Sequence, residues 1–279
     1  MPEASVMTRE ALEELQNAYP LRPARLAHAL SDHPLFALDR LAAAAARLDT
    51  ALVETKRATH LAGALEPVDR QHHSTDAFVR AVDKTQAWTM LRFIDRLPEY
   101  RALLARVMRE IADIIEPLTG AASRARAFVF ISSPGTITPF HVDPEYNVLF
   151  HIKGTKRITL FPAETCLPQA ADEALHGDGR NLLAWDDRYA ADAQSFDLVP
   201  GDAVFVPYKW PHHVVVGDTS AISVSMTWQS AWTETQPPLH RMNARLARLG
   251  ARRMLLPRWP HVPRAALLAA RLTDRIARR

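Results

Sequence analysis

The chain has 279 residues, a hydrophobic share of 48%, a charged share of 23% and a formal net charge of +3. That balance suits a water-soluble protein of one large β domain with helical decoration, or of two small domains, and the longest apolar runs are too short to span a bilayer. The lone Cys166 excludes an intramolecular disulfide and fits a reducing compartment; "MPEASVMTREALEEL" lacks a basic-then-apolar leader, so the expected location is the cytoplasm.

In chain order, "TREALEELQNAY" predicts a helix capped by Thr8, with Leu12, Leu15 and Ala18 at helical spacing. A Pro-marked turn in "YPLRPARL" leads into an Ala- and Leu-rich helix, "HPLFALDRLAAAAARLD", and a short strand, "TALVETKRAT". Gly63 to Asp76 reads as loop, "STDAFVRAVD" as a short capped helix and "AWTMLRFID" as a strand. "LPEYRALLARVMREIADIIEPL" is a long amphipathic helix ending at Pro117 and Gly120. Positions 1–126 are thus a mixed, mostly helical region expected to pack on a core.

From Ala127 the period changes to two. "AFVFISS", "TPFHVD", "NVLFHIKG", "TKRITLFP", "SFDLVP", "DAVFVP", "HHVVVG" and "AISVSMTW" are short β-rich runs separated by Pro, Gly and Asp. Eight such runs over 127–231 predict a closed or double-sheet β architecture. The gap at 163–194, with "GDGRN" as a turn signal, reads as a polar insertion without a long apolar period, of the kind that forms lids at the rim of a β barrel. Positions 232–279 predict two basic helices broken by "PRWPHVP". There the arginines from Arg241 to Arg279 face one acid, Asp274, which suits either a solvated helical face packed on the body or a second subunit, or a surface for an acidic partner.

Two charged residues and two histidines interrupt the β pattern. His141 and Asp143, two apart, point to the same side of a strand and can grip one ion together. "GDAVFVPYKWPHHV" supplies a third ligand at the start of a later strand, with His212 preferred and His213 as the alternative. Two imidazoles and one carboxylate on one face leave the opposite face of an octahedral ion open, as in non-haem Fe(II) oxygenases. Zinc hydrolases use similar sets, but no Glu stands as in H-E-x-x-H to act as base. Lys156 shares a face with Ile158 and Leu160; if that face is inward, a desolvated ammonium without an acidic strand neighbour lacks its anion, the alternative being a lysine that snorkels at the barrel mouth.

"TPFHVDPEYNVLFHIKGTKRITLFP", followed by "PGDAVFVPYKWPHHVVV" and "AISVSMTW", resembles the cupin-like, jumonji-C branch of Fe(II)- and 2-oxoglutarate-dependent oxygenases, and in particular the asparaginyl hydroxylase type that acts on hypoxia-inducible factor, with its bacterial relatives. The resemblance spans Phe128 to Trp228. It implies a mainly β fold with flanking helices whose core is a double-stranded β-helix, or jelly roll, holding the metal through His141, Asp143 and His212. It also implies a 2-oxoglutarate site in which Lys156 pairs with the distal carboxylate, Thr138 adds a hydroxyl donor, Asn147 lies near the chelating end and Ser225 replaces a family Asn on the last strand. The implied chemistry uses Fe(II), O₂ and 2-oxoglutarate, yields succinate and CO₂, and oxygenates a C–H bond of a protein, peptide or metabolite, with no catalytic residue beyond the metal ligands. Two departures stand out: Pro211 occupies the place of a family Trp, and a further 2-oxoglutarate-binding Tyr has no counterpart.

His151, Trp210 and Trp228 read as structural, while Glu145 and Tyr146, just past the H-x-D pair, are candidates for touching substrate. Competing functions are a metal-binding cupin without oxygenase activity and a nucleic-acid-binding regulator using the basic tail. No helix-turn-helix or zinc-finger pattern supports the latter, so nucleic acid is not an expected partner. A homodimer through the C-terminal helices is the expected assembly.

Overall fold

The computed structural model describes the chain except for residues 1–4, 59, 62, 69–73, 255 and 277–279. Its first part runs α1 (Arg9–Ala18), β1 (Ala24–Ala27), α2 (Leu38–Arg47), β2 (Val53–Arg57), β3 (Glu66–Pro67), α3 (Thr75–Arg80), β4 (Trp88–Leu91) and α4 (Pro98–Thr119). Then follow β5 (Ala122–Ser132), β6 (Ile137–His141), β7 (Tyr146–Lys153), β8 (Lys156–Leu160), α5 (Ala163–Cys166) and α6 (Gln169–Asp178). The last part is β9 (Gln194–Leu198), β10 (Asp202–Val206), β11 (His212–Val216), β12 (Ala221–Ser230), α7 (Gln236–Arg248) and α8 (Arg264–Ile276).

The strands form two antiparallel sheets. One has eight strands in the order β1-β10-β7-β12-β5-β4-β2-β3, the other four in the order β6-β11-β8-β9. Alternation along β7 and β12 sorts the side chains cleanly. Tyr146, Val148, Phe150 and Ile152, with Val224, Met226 and Trp228, join the main core on one face of the large sheet. Leu149 instead packs with Ile158, Leu160, Val204, Val206 and Val214 in a second core between the sheets.

The main core is closed by helices whose sequence dictates the contact. In α1 the Thr8 hydroxyl accepts the Ala11 N–H at 3.1 Å, and Ala11, Leu15 and Ala18 are buried. In α4, Leu103, Leu104, Val107, Ile111 and Ile115 recur at three- and four-residue intervals and are buried. Pro117 sits within the last turn of α4, which continues to Thr119 and stops at Gly120. At Gly154, which turns β7 into β8 with φ +78°, a Cβ would lie 2.3 Å from the Ser220 carbonyl oxygen, so only glycine fits.

Two stretches depart from the expectation. "YPLRPARL" contains more than a turn: Ala24–Ala27 is an edge strand paired with β10. The stretch 163–194 is not a bare polar loop, because Cys166, Leu175 and Leu183 bury against Phe140, Val142 and Phe161 on the outer side of the small sheet. Its apolar residues are spread over two helices and a turn, too thinly for a period to emerge. Of the expected loop Gly63 to Asp76, Glu66–Pro67 pairs with β2 and α3 begins at Thr75, while 69–73 lie outside the described residues. Strands β2 and β4 extend the large sheet beyond β5, which places their inner faces beside the candidate site.

Candidate metal centre and its cavity

His141 ends β6 and His212 begins β11, and the two face each other in register, with ring centroids 4.1 Å apart. Asp143 lies past the strand end, yet keeps the strand's alternation because the insertion pairs with this segment: Val142 N–H donates to the Asn181 carbonyl and Leu183 N–H to the Phe140 carbonyl. His141 Nε2 is 3.5 Å and His212 Nε2 3.8 Å from Asp143 Oδ2. An ion held at about 2.0–2.2 Å by such donors needs only a small contraction of this cluster.

The tautomers are fixed for metal binding. His141 Nδ1 lies 2.8 Å from the Pro139 carbonyl and His212 Nδ1 2.9 Å from the Trp210 carbonyl. A carbonyl only accepts, so each Nδ1 carries a proton and each Nε2 is the nitrogen turned to the cluster. Burial opposes a second proton on His141, but Asp143 raises its affinity for one, which a bound ion would displace. Asn181 Nδ2 donates to Asp143 Oδ1 at 3.3 Å, orienting the carboxylate. Burial, and then the neighbouring His141, push the His212 imidazole down to about 4. Burial opposes the charge of Asp143, but the two histidines and the Asn181 amide hold its carboxyl well below the usual range. His213 points the other way, toward Phe161 and Trp185 under the insertion, so His212 is the one that joins His141 and Asp143.

The cluster opens on a cavity of about 310 Å³ lined by Thr138, Asn147, Ser225 and Thr227. Asn147 Nδ2 donates to Ser225 Oγ at 3.1 Å, while the buried Asn147 Oδ1 has no hydrogen-bond partner, an orphan acceptor facing a ligand space. Glu145 lines the cavity too, its carboxyl pushed up to about 8 by burial and then by the charge of Asp143. Tyr146, by contrast, points through the opposite face of the sheet into the main core beside Tyr19 and Trp228.

Lys156 is 6% exposed, and its inner face is shared with Ile158 and Leu160, so it does not snorkel. Its Nζ donates to Ser223 Oγ at 2.9 Å, and no carboxylate pairs with it among the described residues. Burial alone pushes its ammonium down to about 7. His151 is held by Ser223 Oγ at 3.1 Å and the Gly154 carbonyl at 2.9 Å, a satisfied structural histidine. Ser225 lines the cavity and Ser223 is the next inward position of β12; Lys156 and Ser223 themselves lie behind that wall, outside the cavity lining. The outer wall was not legible: Glu54 and Lys56 of β2, Trp88 and Met90 of β4, and Arg92. The available signal was parity, since Glu54 and Lys56 share one face of "TALVETKRAT"; Glu54 pairs there with Lys56 at 2.6 Å and Arg92 at 2.5 Å.

No family profile matches the chain. The Jumonji C domain-containing protein 5 of Drosophila melanogaster is 31% identical over 115 residues, 36% of this chain and 27% of that protein. Lysine-specific demethylase 8 of Xenopus tropicalis is 35% identical over 102 residues, 34% of this chain and 23% of that one. For tRNA wybutosine-synthesizing protein 5 of Mus musculus the values are 31% over 122 residues, 42% and 38%. The chain therefore matches well under half the length of these curated relatives. Among solved structures, Escherichia coli YcfD superposes with a TM-score of 0.55 at 17% identity, over 97% of this chain and 68% of that one. A complex of YcfD, described as a ribosomal oxygenase, with cobalt and 2-oxoglutarate gives 0.54 at 15%, over 98% and 68%. These structures share the fold, antiparallel sheets with flanking helices. The chain is thus similar to jumonji-C proteins over about a third of its length and shares the fold of YcfD along nearly all of it.

Proposed function

We propose that the chain is an Fe(II)- and 2-oxoglutarate-dependent dioxygenase that hydroxylates a protein side chain. One observation carries the reading: a His₂-Asp cluster whose lone pairs open on a cavity, with a buried Lys156 ammonium that lacks a carboxylate partner. A simple metal-binding cupin needs the first feature only. The second is costly unless an anion completes it, and a dicarboxylate cosubstrate does so.

The strand orders β10-β7-β12-β5 and β6-β11-β8-β9 support the finer reading of positions 127–231 as a double-stranded β-helix, or jelly roll, with the insertion 163–194, flanked by 1–126 and 232–279. The donor set suits Fe(II), with two neutral imidazoles and one carboxylate on one side and open positions toward the cavity. Bound there, the ion would supply O₂ activation for C–H oxygenation coupled to conversion of 2-oxoglutarate to succinate and CO₂. His141, Asp143 and His212 hold the ion and Asn181 orients Asp143. Lys156 and Ser223 receive the distal carboxylate, while Thr138, Asn147 and Ser225 orient the rest of the cosubstrate. Glu145, protonated near neutral pH, offers a donor to whatever enters the cavity.

A protein substrate is favoured by the charged outer wall of Glu54, Lys56 and Arg92 and by relatives described as demethylases and a ribosomal oxygenase. The basic tail is largely spent internally: Arg241 and Arg245 bond Asp274 at 2.6 and 2.8 Å, and Arg253 reaches Glu173 at 3.2 Å, which argues against a nucleic-acid role. The outer face of α8 leaves Leu268 and Leu272 at 62% and 50% exposure, which supports a homodimer through the C-terminal helices. No helix among the described residues is long and apolar enough to cross a membrane, and the buried free thiol of Cys166 fits the cytoplasm.

The test is succinate formation from 2-oxoglutarate with Fe(II) and ascorbate, with and without a library of protein-derived peptides and of metabolites. Turnover in wild type, lost in His141→Ala and in Lys156→Ala and stimulated by peptides, is the expected result. Absence of turnover with every candidate would leave the non-oxygenase cupin, and stimulation by metabolites alone would remove the protein substrate.

A further inference from the structure

A second set of metal-type donors is assembled away from the cavity. Asp172 and His176 stand one turn apart on one face of α6, and α7 brings His240 against them. The two imidazoles stack with centroids 4.0 Å apart and planes 26° apart. His176 Nε2 lies 3.5 Å from Asp172 Oδ1, and His240 Nε2 3.5 Å from Asp172 Oδ2. The three ligand atoms fall within 4.8 Å of one another. The side chains are 4% and 1% exposed for the histidines and 15% for the aspartate.

Hydrogen bonding accounts for only part of this arrangement. The buried His176 Nε2, turned to the carboxylate, has no hydrogen-bond partner. Orphan imidazole nitrogens in a protein interior call for a ligand. A cation already sits at the centre: Lys209 Nζ donates to Asp172 Oδ1 at 2.9 Å and Oδ2 at 2.7 Å and lies 3.4 Å from His240 Nε2. It is held by a backbone in the left-handed region, φ 58°.

We propose that Asp172, His176 and His240 form a second divalent-metal site, of the zinc class, in which the ion takes the place of the Lys209 ammonium. Two imidazoles and a carboxylate are a common zinc donor set, with a fourth position left for water. Asp172 and Lys209 line a second cavity, of about 440 Å³, through which an ion can enter and into which the lysine can swing. The ion would tie the insertion to α7 beside the turn that leads, three residues after Lys209, into His212. The role is structural, and the site does not depend on the reaction proposed above.

The experiment uses the full chain carrying His141→Ala and Asp143→Ala, which removes the first cluster. The protein is stripped with chelator and titrated with Co(II) and with Zn(II), reading the Co(II) ligand-field spectrum, the metal-to-protein ratio and the melting temperature. The expected result is one ion per chain with a tetrahedral Co(II) spectrum and a raised Tm. Uptake should vanish on adding His240→Ala or His176→Gln, two variants whose folding is checked by circular dichroism. It should tighten about tenfold or more with Lys209→Met, which removes the competing ammonium. Failure to bind either ion stoichiometrically, in the Lys209→Met background as well, overturns the proposal, and so does uptake that survives both histidine variants.

Discussion

The molecule builds the same donor triad twice, and the two copies differ in what surrounds them. His141, Asp143 and His212 are carried by strands and a strand-paired segment, with backbone carbonyls fixing both tautomers and a cavity in front. Asp172, His176 and His240 are carried by helices, with the imidazoles stacked, the ammonium of Lys209 on the carboxylate, and Asp172 alone of the three lining a cavity. Each neighbourhood also holds a buried lysine. Lys209 is paired with Asp172, whereas Lys156 bonds only a hydroxyl. On the proposed function, the triad near an unpaired cation receives an anion, and the triad bonded to its cation has a structural role. The ligand types are identical, and the surroundings separate reactivity from architecture.

The largest expected difference between the copies is in turnover. His141→Ala or Asp143→Ala should abolish succinate formation, a loss of at least about 100-fold, since losing even a group that only hydrogen-bonds a ligand typically costs 10–100-fold. His240→Ala should lower Tm while retaining turnover within about tenfold. If His240→Ala matched His141→Ala in steady-state kinetics at a temperature well below its Tm, the division between the copies would collapse.

Next in size is the lysine pair. Lys156→Met should raise the KM for 2-oxoglutarate by roughly 10–100-fold, the worth of a charge-assisted hydrogen bond of about 1.5–3 kcal/mol. Lys209→Met should leave that KM unchanged. Equal effects of the two on KM would mean that Lys156 is not a cosubstrate contact.

A smaller effect follows from the depressed pKa of Lys156. Its folded value, about 7, lies below the ordinary value of about 10.4. Between these the unfolded chain holds a proton that the native one lacks, so this lysine makes stability rise with pH from about 7 to about 10.4. Below about pH 7 both states are charged and the contribution is flat at its least favourable. Denaturant titrations of the metal-free, cosubstrate-free protein should show that rise, and Lys156→Met should flatten it. The smallest expected effect is that of His213→Ala, whose ring lies under the insertion: turnover within about threefold of wild type, with the loss confined to stability.

The strand copy was legible in the sequence and the helical copy was not, for physical reasons. Period-two alternation puts His141 and Asp143 on one side with no knowledge of the fold, and the parity of Lys156 with Ile158 and Leu160 held in the structure. The sequence prefers His212 and leaves His213 as the alternative; the pairing of β11 with β6, a contact across more than seventy positions, brings His212 to His141. The same holds for Glu145 and Tyr146, adjacent in sequence and sent to opposite faces of the sheet. In "DEALH" the i, i+4 spacing of Asp172 and His176 was visible, but their partners, Lys209 and His240, come from a turn and from a helix read only as a basic tail. The outer wall has no local signal either, since Glu54 and Lys56 reach the cavity only through pairing of β2 with β4 and β4 with β5.

The central claim, that the strand triad and Lys156 form one site for Fe(II) and 2-oxoglutarate together, is tested most directly by anaerobic titration of Fe(II)-loaded protein with 2-oxoglutarate, followed by visible absorption. A saturable charge-transfer band is expected in wild type, absent in His141→Ala, and shifted to roughly 10–100-fold higher 2-oxoglutarate concentration in Lys156→Met. A spectrum that 2-oxoglutarate leaves unchanged in wild type, or a band that saturates identically in Lys156→Met, would contradict it.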